Sequence, residues 1–92
     1  MSSDSIRLEL VIRGRVQGVW FRDSVRREAV ARGLGGYAEN RFDGSLAVVL
    51  EGDPDAVRAV ADFCRTGPPR ARVTAVDERT GPVSGLAGFE IR

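Results

Sequence analysis

Histidine is absent from the 92-residue sequence, and cysteine occurs once, as Cys64. A zinc site draws on several such ligands, so that kind of centre is excluded, as are a histidine base and a phosphohistidine intermediate. An intramolecular disulfide is excluded too, which fits a reducing compartment. Lysine is also missing, since all fourteen basic residues are arginine, and Schiff-base chemistry on a lysine goes with it. Fourteen basic against thirteen acidic residues leave a formal net charge of only +1. No global field therefore draws in nucleic acid or an anionic membrane, and any anion site has to be local. No apolar run approaches the ~20 residues that span a bilayer. The opening Met1-Ser2-Ser3-Asp4-Ser5 lacks the charged and apolar regions of a signal peptide. A cytoplasmic protein is expected, one domain over 1–92 with residues 1–5 flexible.

What is present is ordinary for a globular chain: 42% hydrophobic and 29% charged residues, enough for one core. Ile6, Leu8, Leu10 and Ile12 alternate with Arg7, Glu9, Val11 and Arg13, the period of a strand with one buried face. Phe21, Val25 and Ala29 recur every four residues, which predicts an amphipathic helix over 21–32, closed by Gly33. A short strand over 36–41 leads through Asp43-Gly44, a hairpin signal, into a strand with Leu46, Val48 and Leu50. Asp53-Pro54 supplies an N-cap and a first-turn proline. The apolar face of Ala56, Val57, Val60, Ala61, Phe63 and Cys64 follows, stopped at Thr66-Gly67-Pro68-Pro69. Residues 72–79 read as a strand in which Val73 and Val76 differ in parity, as a bulge would produce. Residues 81–88 read as a loop, and 89–92 as a short last strand. The expected fold is α+β, ferredoxin-like split βαβ (βαββαβ): an antiparallel sheet with two helices on one face plus a short C-terminal strand. In that order the first two strands run parallel with the third between them. The turn after the first strand should then face the end of the second, around Asn40.

The most informative stretch is Gly14-Arg15-Val16-Gln17-Gly18-Val19-Trp20-Phe21-Arg22, which leaves a strand and enters a helix. Glycines there allow close backbone approach, the first helical N–H groups lack internal partners, and the helix dipole favours an anion. Arg22 adds a planar fork of donors that can hold two phosphate oxygens. An ordinary strand-to-helix turn with a solvated arginine fits the same residues. Asn40, taken alone, reads equally as an asparagine satisfying backbone at a turn.

This stretch, with Gly33, Gly36, Asn40, Asp43-Gly44, the run Gly67-Pro68-Pro69-Arg70-Ala71-Arg72-Val73 and the ending Gly88-Phe89-Glu90-Ile91-Arg92, closely resembles the acylphosphatase family. The likeness spans nearly the whole chain. It implies metal-independent hydrolysis of the carboxyl-phosphate bond of acyl phosphates, giving a carboxylate and inorganic phosphate. Arg22 would bind the phosphoryl group together with the turn of Val16, Gln17, Gly18, Val19, Trp20 and Phe21, and Asn40 would hold the attacking water. No cofactor or metal is implied. The expected partner is a small acyl phosphate, with phosphate or sulfate able to occupy the site, no nucleic acid or membrane, and a monomeric state. Tyr37 stands where tryptophan is common, Ala38 where valine is common, and Phe42 is bulky for its turn.

The residue inventory suits that chemistry. An acyl phosphate expels a carboxylate whose conjugate acid has a pKa of roughly 4, so no general acid is required. Positioning and charge stabilisation carry phosphoryl transfer. Other readings are weaker. Cys64 and Arg70 have the Cys-x5-Arg spacing of cysteine-dependent phosphatases, but Pro68 and Pro69 remove two N–H groups from such a cradle. A helix C-terminus also disfavours a thiolate, and Cys64 is expected to be a core thiol. A binding module of acylphosphatase type, as fused to larger maturation proteins, would need a fusion partner. An RNA-binding sheet would need aromatic residues on its open face, where the third strand is expected to expose Ala47, Val49 and Glu51.

Overall fold

The alternation that begins at Ile6 does build a strand. The computed structural model describes residues 4–92; of the start expected to be flexible, residues 1–3 lie outside that range. The elements are β1 (Ile6–Arg15), α1 (Phe21–Ala31), β2 (Gly35–Asn40), β3 (Leu46–Gly52), α2 (Pro54–Cys64), β4 (Arg72–Gly81) and β5 (Phe89–Ile91). They form one five-stranded sheet in the order β4-β1-β3-β2-β5. β3 pairs antiparallel with both β1 and β2, so β1 and β2 are parallel, as expected. The sheet is antiparallel except at one edge, where β5 runs parallel to β2.

Leu8, Leu10 and Ile12 of β1, Leu46, Val48 and Leu50 of β3, and Ala38 of β2 share the face covered by the helices, and all are buried. Val25 and Ala29 of α1 and Val57, Val60, Ala61 and Cys64 of α2 close that core. Phe21 begins α1 inside it, its ring meeting Phe63 edge-on at 6.4 Å between centroids. Burial of a phenylalanine contributes about 1.5–3 kcal/mol, which anchors the first turn of α1 and with it the turn before it. The Asp53 side chain accepts from the Ala56 N–H at 3.1 Å and caps α2. The Gly33 N–H donates to Val30 O and ends α1.

Two irregularities have physical causes. Arg13 faces Ala75 but Gly14 faces Val73, so Thr74 is an extra residue on β4. This bulge lets both Val73 and Val76 pack against the core. On the open face, Val49 and Glu51 are buried rather than exposed, which corrects the expectation for β3. Val49 lies between its cross-strand partners Glu9 and Tyr37, and the loop after β4 folds back onto Glu51. The Glu51 carboxylate accepts from Arg7 Nη1 at 2.7 Å and from the N–H groups of Ser84 (2.9 Å), Gly85 (3.0 Å) and Leu86 (2.9 Å). Ser84 Oγ donates to it as well. Tyr37, the aromatic residue of that face, lies under the Arg92 guanidinium at 3.9 Å, so the face offers no free stacking platform for bases. Among the described residues no helix is long and apolar enough to cross a membrane.

Candidate active site

The chain leaves β1 at Arg15 and reaches α1 at Phe21 through five residues. Gly18 has φ 73° and Trp20 has φ 67°, left-handed conformations that glycine adopts freely and a bulky residue rarely does. Trp20 is the N-cap of α1 without a side-chain cap bond. Its carbonyl instead accepts from Ser24 N at 3.0 Å and Ser24 Oγ at 2.9 Å. The backbone therefore curls at the helix start. Among the described residues, no main-chain N–H from residue 16 to residue 23 donates to a protein acceptor. Those free donors and the positive end of α1 point the same way.

Side chains of the turn divide by role. Val16, Val19 and Phe21 enter the core, fastening the turn from beneath. Gln17 reaches across to the β2–β3 hairpin, Nε2 donating to Arg41 O at 2.7 Å and Ser45 O at 3.0 Å. That hairpin is itself closed by Arg41 N to Ser45 O and Gly44 N to Arg41 O. The Ser45 hydroxyl and N–H donate to Asp43 Oδ1, and together they hold the Asp43 carboxyl below its ordinary value. Gln17 thus braces the turn against the segment that carries Asn40.

A cavity of about 360 Å³ opens there, lined by Val16, Gly18, Trp20, Arg22, Asn40 and Ile91, with Phe21 and Asp23 also contributing. The turn and the end of β2 do face one another. Asn40 Oδ1 is buried and has no hydrogen-bond partner; a buried acceptor in that state calls for a water or ligand. Arg22 Nη1 donates to the main-chain oxygen of Arg92 at 2.9 Å, which orients the guanidinium. Arg92 is held in turn by its N–H to Ala38 O at 2.8 Å and by its stack on Tyr37. Asp23, the one carboxylate of the lining, pairs with Arg27 at 2.9 Å.

The residues singled out from the sequence are therefore brought together in part through side chains and in part through backbone. Arg22, Asn40, Val16, Gly18, Trp20 and Phe21 line the cavity; Gln17 and Val19 direct their side chains elsewhere. Ile91 and the Arg92 carbonyl were missed, because only the parallel pairing of β5 with β2 carries them to the site. Cys64 lies outside it, buried and free. Burial pushes its thiol up to about 12 against a small opposing effect of Arg65. A thiolate is thus disfavoured, and the Cys64–Arg70 spacing has no chemical consequence.

Fold and site together define an α+β protein of ferredoxin-like architecture, with an N–H-rich strand-to-helix turn set opposite an asparagine. The family model for acylphosphatase matches residues 8–91. An acylphosphatase of Natronomonas pharaonis is 42% identical over 90 residues, covering 98% of each chain. That of Thiobacillus denitrificans is 50% identical over 81 residues, covering 86% of this chain and 91% of the relative. The crystal structure of acylphosphatase from Bacillus subtilis superposes with a TM-score of 0.91 at 32% identity, over 95% of this chain and 98% of that one. The chain belongs to the acylphosphatase family.

Proposed function

We propose that the chain works as a single, monomeric domain that hydrolyses acyl phosphates without a metal ion, with Arg22 and the main-chain N–H groups of residues 16–22 binding the phosphoryl group and Asn40 placing the attacking water. The observation that carries this reading is the unpartnered, buried Asn40 Oδ1 in the cavity that Arg22 also lines. A water donating one proton to that oxygen is held beside the phosphorus. Its lone pair attacks phosphorus while the P–O bond to the acyl group breaks, and that electron pair leaves on the carboxylate. The second water proton passes to a phosphoryl oxygen, so the products are a carboxylate and inorganic phosphate.

Charge that gathers on the equatorial phosphoryl oxygens meets a fixed guanidinium and preset N–H dipoles, the form of stabilisation that needs no reorganisation during reaction. The leaving group is already a weak base, so no acid has to protonate it. The absence of histidine and the inert state of Cys64 agree with direct attack by water. Small acyl phosphates are the partners on this reading, and the cytoplasm, where such metabolites are made, is the location. The test is turnover of acetyl phosphate and benzoyl phosphate by protein treated with chelator. Hydrolysis of both that added divalent cations do not raise is the expected result; dependence on an added cation refutes the metal-free mechanism.

A further inference from the structure

The cavity is larger than the group it is assigned. Its volume of about 360 Å³ exceeds what the four heavy atoms of a phosphoryl group fill. Of the large apolar side chains in the lining, Val16 and Phe21 are buried beneath it, whereas Trp20 and Ile91 stay open to solvent, Trp20 by 76%. Trp20 is also the one non-glycine residue with positive φ among the described residues. A strained backbone that presents a bare indole gains nothing from packing, and strain of this kind collects where a ligand is met. The two hydrogen bonds from Ser24 to its carbonyl keep it there.

Direction and charge narrow the occupant. In-line displacement puts the leaving carboxylate on the side of phosphorus opposite the water at Asn40. The acyl group therefore departs away from the Asn40 hairpin and from Phe42 at its tip. Arg22 is committed to the phosphoryl group, and the other charge of the lining, the Asp23 carboxylate, is paired with Arg27 at 2.9 Å, so the lining keeps no free cation for a second anionic group on the substrate. Resting on the functional reading above, we propose that Trp20, with Ile91, receives the acyl group and selects acyl phosphates whose acyl part is uncharged and apolar, aromatic ones foremost. An aromatic acyl group offers the indole a face to stack on, and an acetyl group offers none.

The experiment is the ratio of kcat/KM for benzoyl phosphate to that for acetyl phosphate, measured in the wild-type protein and in Trp20→Asn, Trp20→Phe and Phe42→Ala. Asparagine takes the left-handed conformation more readily than most residues, so Trp20→Asn removes the indole without adding strain. The ratio should fall about tenfold in Trp20→Asn, the scale of discrimination an apolar contact supplies. It should hold within twofold in Trp20→Phe and Phe42→Ala. Trp20 is the only tryptophan of the chain, which gives a second readout free of turnover. Benzylphosphonate should shift its fluorescence to shorter wavelength, and methylphosphonate should not. If the wild-type protein turns over both substrates and the ratio stays within twofold in Trp20→Asn, the role of Trp20 is overturned and the site reading stands. If it hydrolyses neither, the acyl phosphate reading itself fails.

Discussion

A guanidinium and an ammonium carry the same charge, and on the proposed function Arg22 is where the difference between them counts. Its Nη1 is oriented by the Arg92 oxygen at 2.9 Å, and Arg22 lines the cavity; lysine has no such planar fork. Arg22→Lys should therefore lose most of the activity, and Arg22→Ala should lose more, with the fold of both intact by circular dichroism. Near-normal turnover by Arg22→Lys would refute the two-oxygen grip. Asn40 should behave differently. If its role is to position water, Asn40→Ala lowers kcat about a hundredfold or more without a matching rise in KM, and phosphate affinity by calorimetry changes little. A large loss of phosphate affinity would make Asn40 a binding residue instead. Neither role was legible from spacing alone. Arg22 reads locally as a first-turn arginine and Asn40 as a turn former, and only the parallel placement of β1 and β2 sets them together. The resemblance to a family supplied the roles; the fold order supplied the proximity.

At the scale of elements, the helices and the first three strands follow from periodicity, since each buries one face and carries its own cap or turn. In the last third the strand over 72–79, with its bulge, and that over 89–92 were legible as well, but what the loop between them touches was not. Glu51 alternates onto the outward face of β3, and nothing near it in sequence announces that residues 84–86 return to bind its carboxylate. It is only 4% exposed. Burial, the largest influence, raises its pKa, but the Ser84 N–H, Arg7 and the Leu86 N–H outweigh it and hold the carboxyl down to about 2 from 4.5. A depressed carboxyl contributes stability that is fully present above its unfolded value and is lost as pH falls toward the folded one. The window here is about pH 4.5 to 2, and the shift corresponds to about 3 kcal/mol. Glu51→Gln should thus lower the urea midpoint clearly at pH 7 and by less and less as pH falls toward 2. Amide exchange at Ser84, Gly85 and Leu86 should quicken in that variant at pH 7. A difference from wild type that does not shrink with pH would mean that packing, and not the charge, makes the latch.

For the whole molecule, the site is a seam: the β1–α1 turn, the end of β2 and the end of β5 each supply one wall, and unfolding has to pull all three apart. An anion bound across them stabilises the folded state by about 2.7 kcal/mol at a hundred times its dissociation constant. For a chain of this size, each kcal/mol moves Tm by about 4–8 °C, so phosphate at that concentration should raise Tm by about 10–20 °C. Scanning calorimetry in phosphate against chloride of equal ionic strength isolates the specific effect, because screening of surface ion pairs is then matched. The shift should be the same with chelator present if, as proposed, the binding groups are Arg22 and main-chain N–H groups. It should vanish in Arg22→Ala and persist in Asn40→Ala, the thermodynamic counterpart of the division between binding and water placement. A shift that disappears with chelator would put a metal ion between phosphate and protein. A shift that survives Arg22→Ala would move the anion site elsewhere on the molecule, and the cavity between the turn and Asn40 would lose its claim to the chemistry.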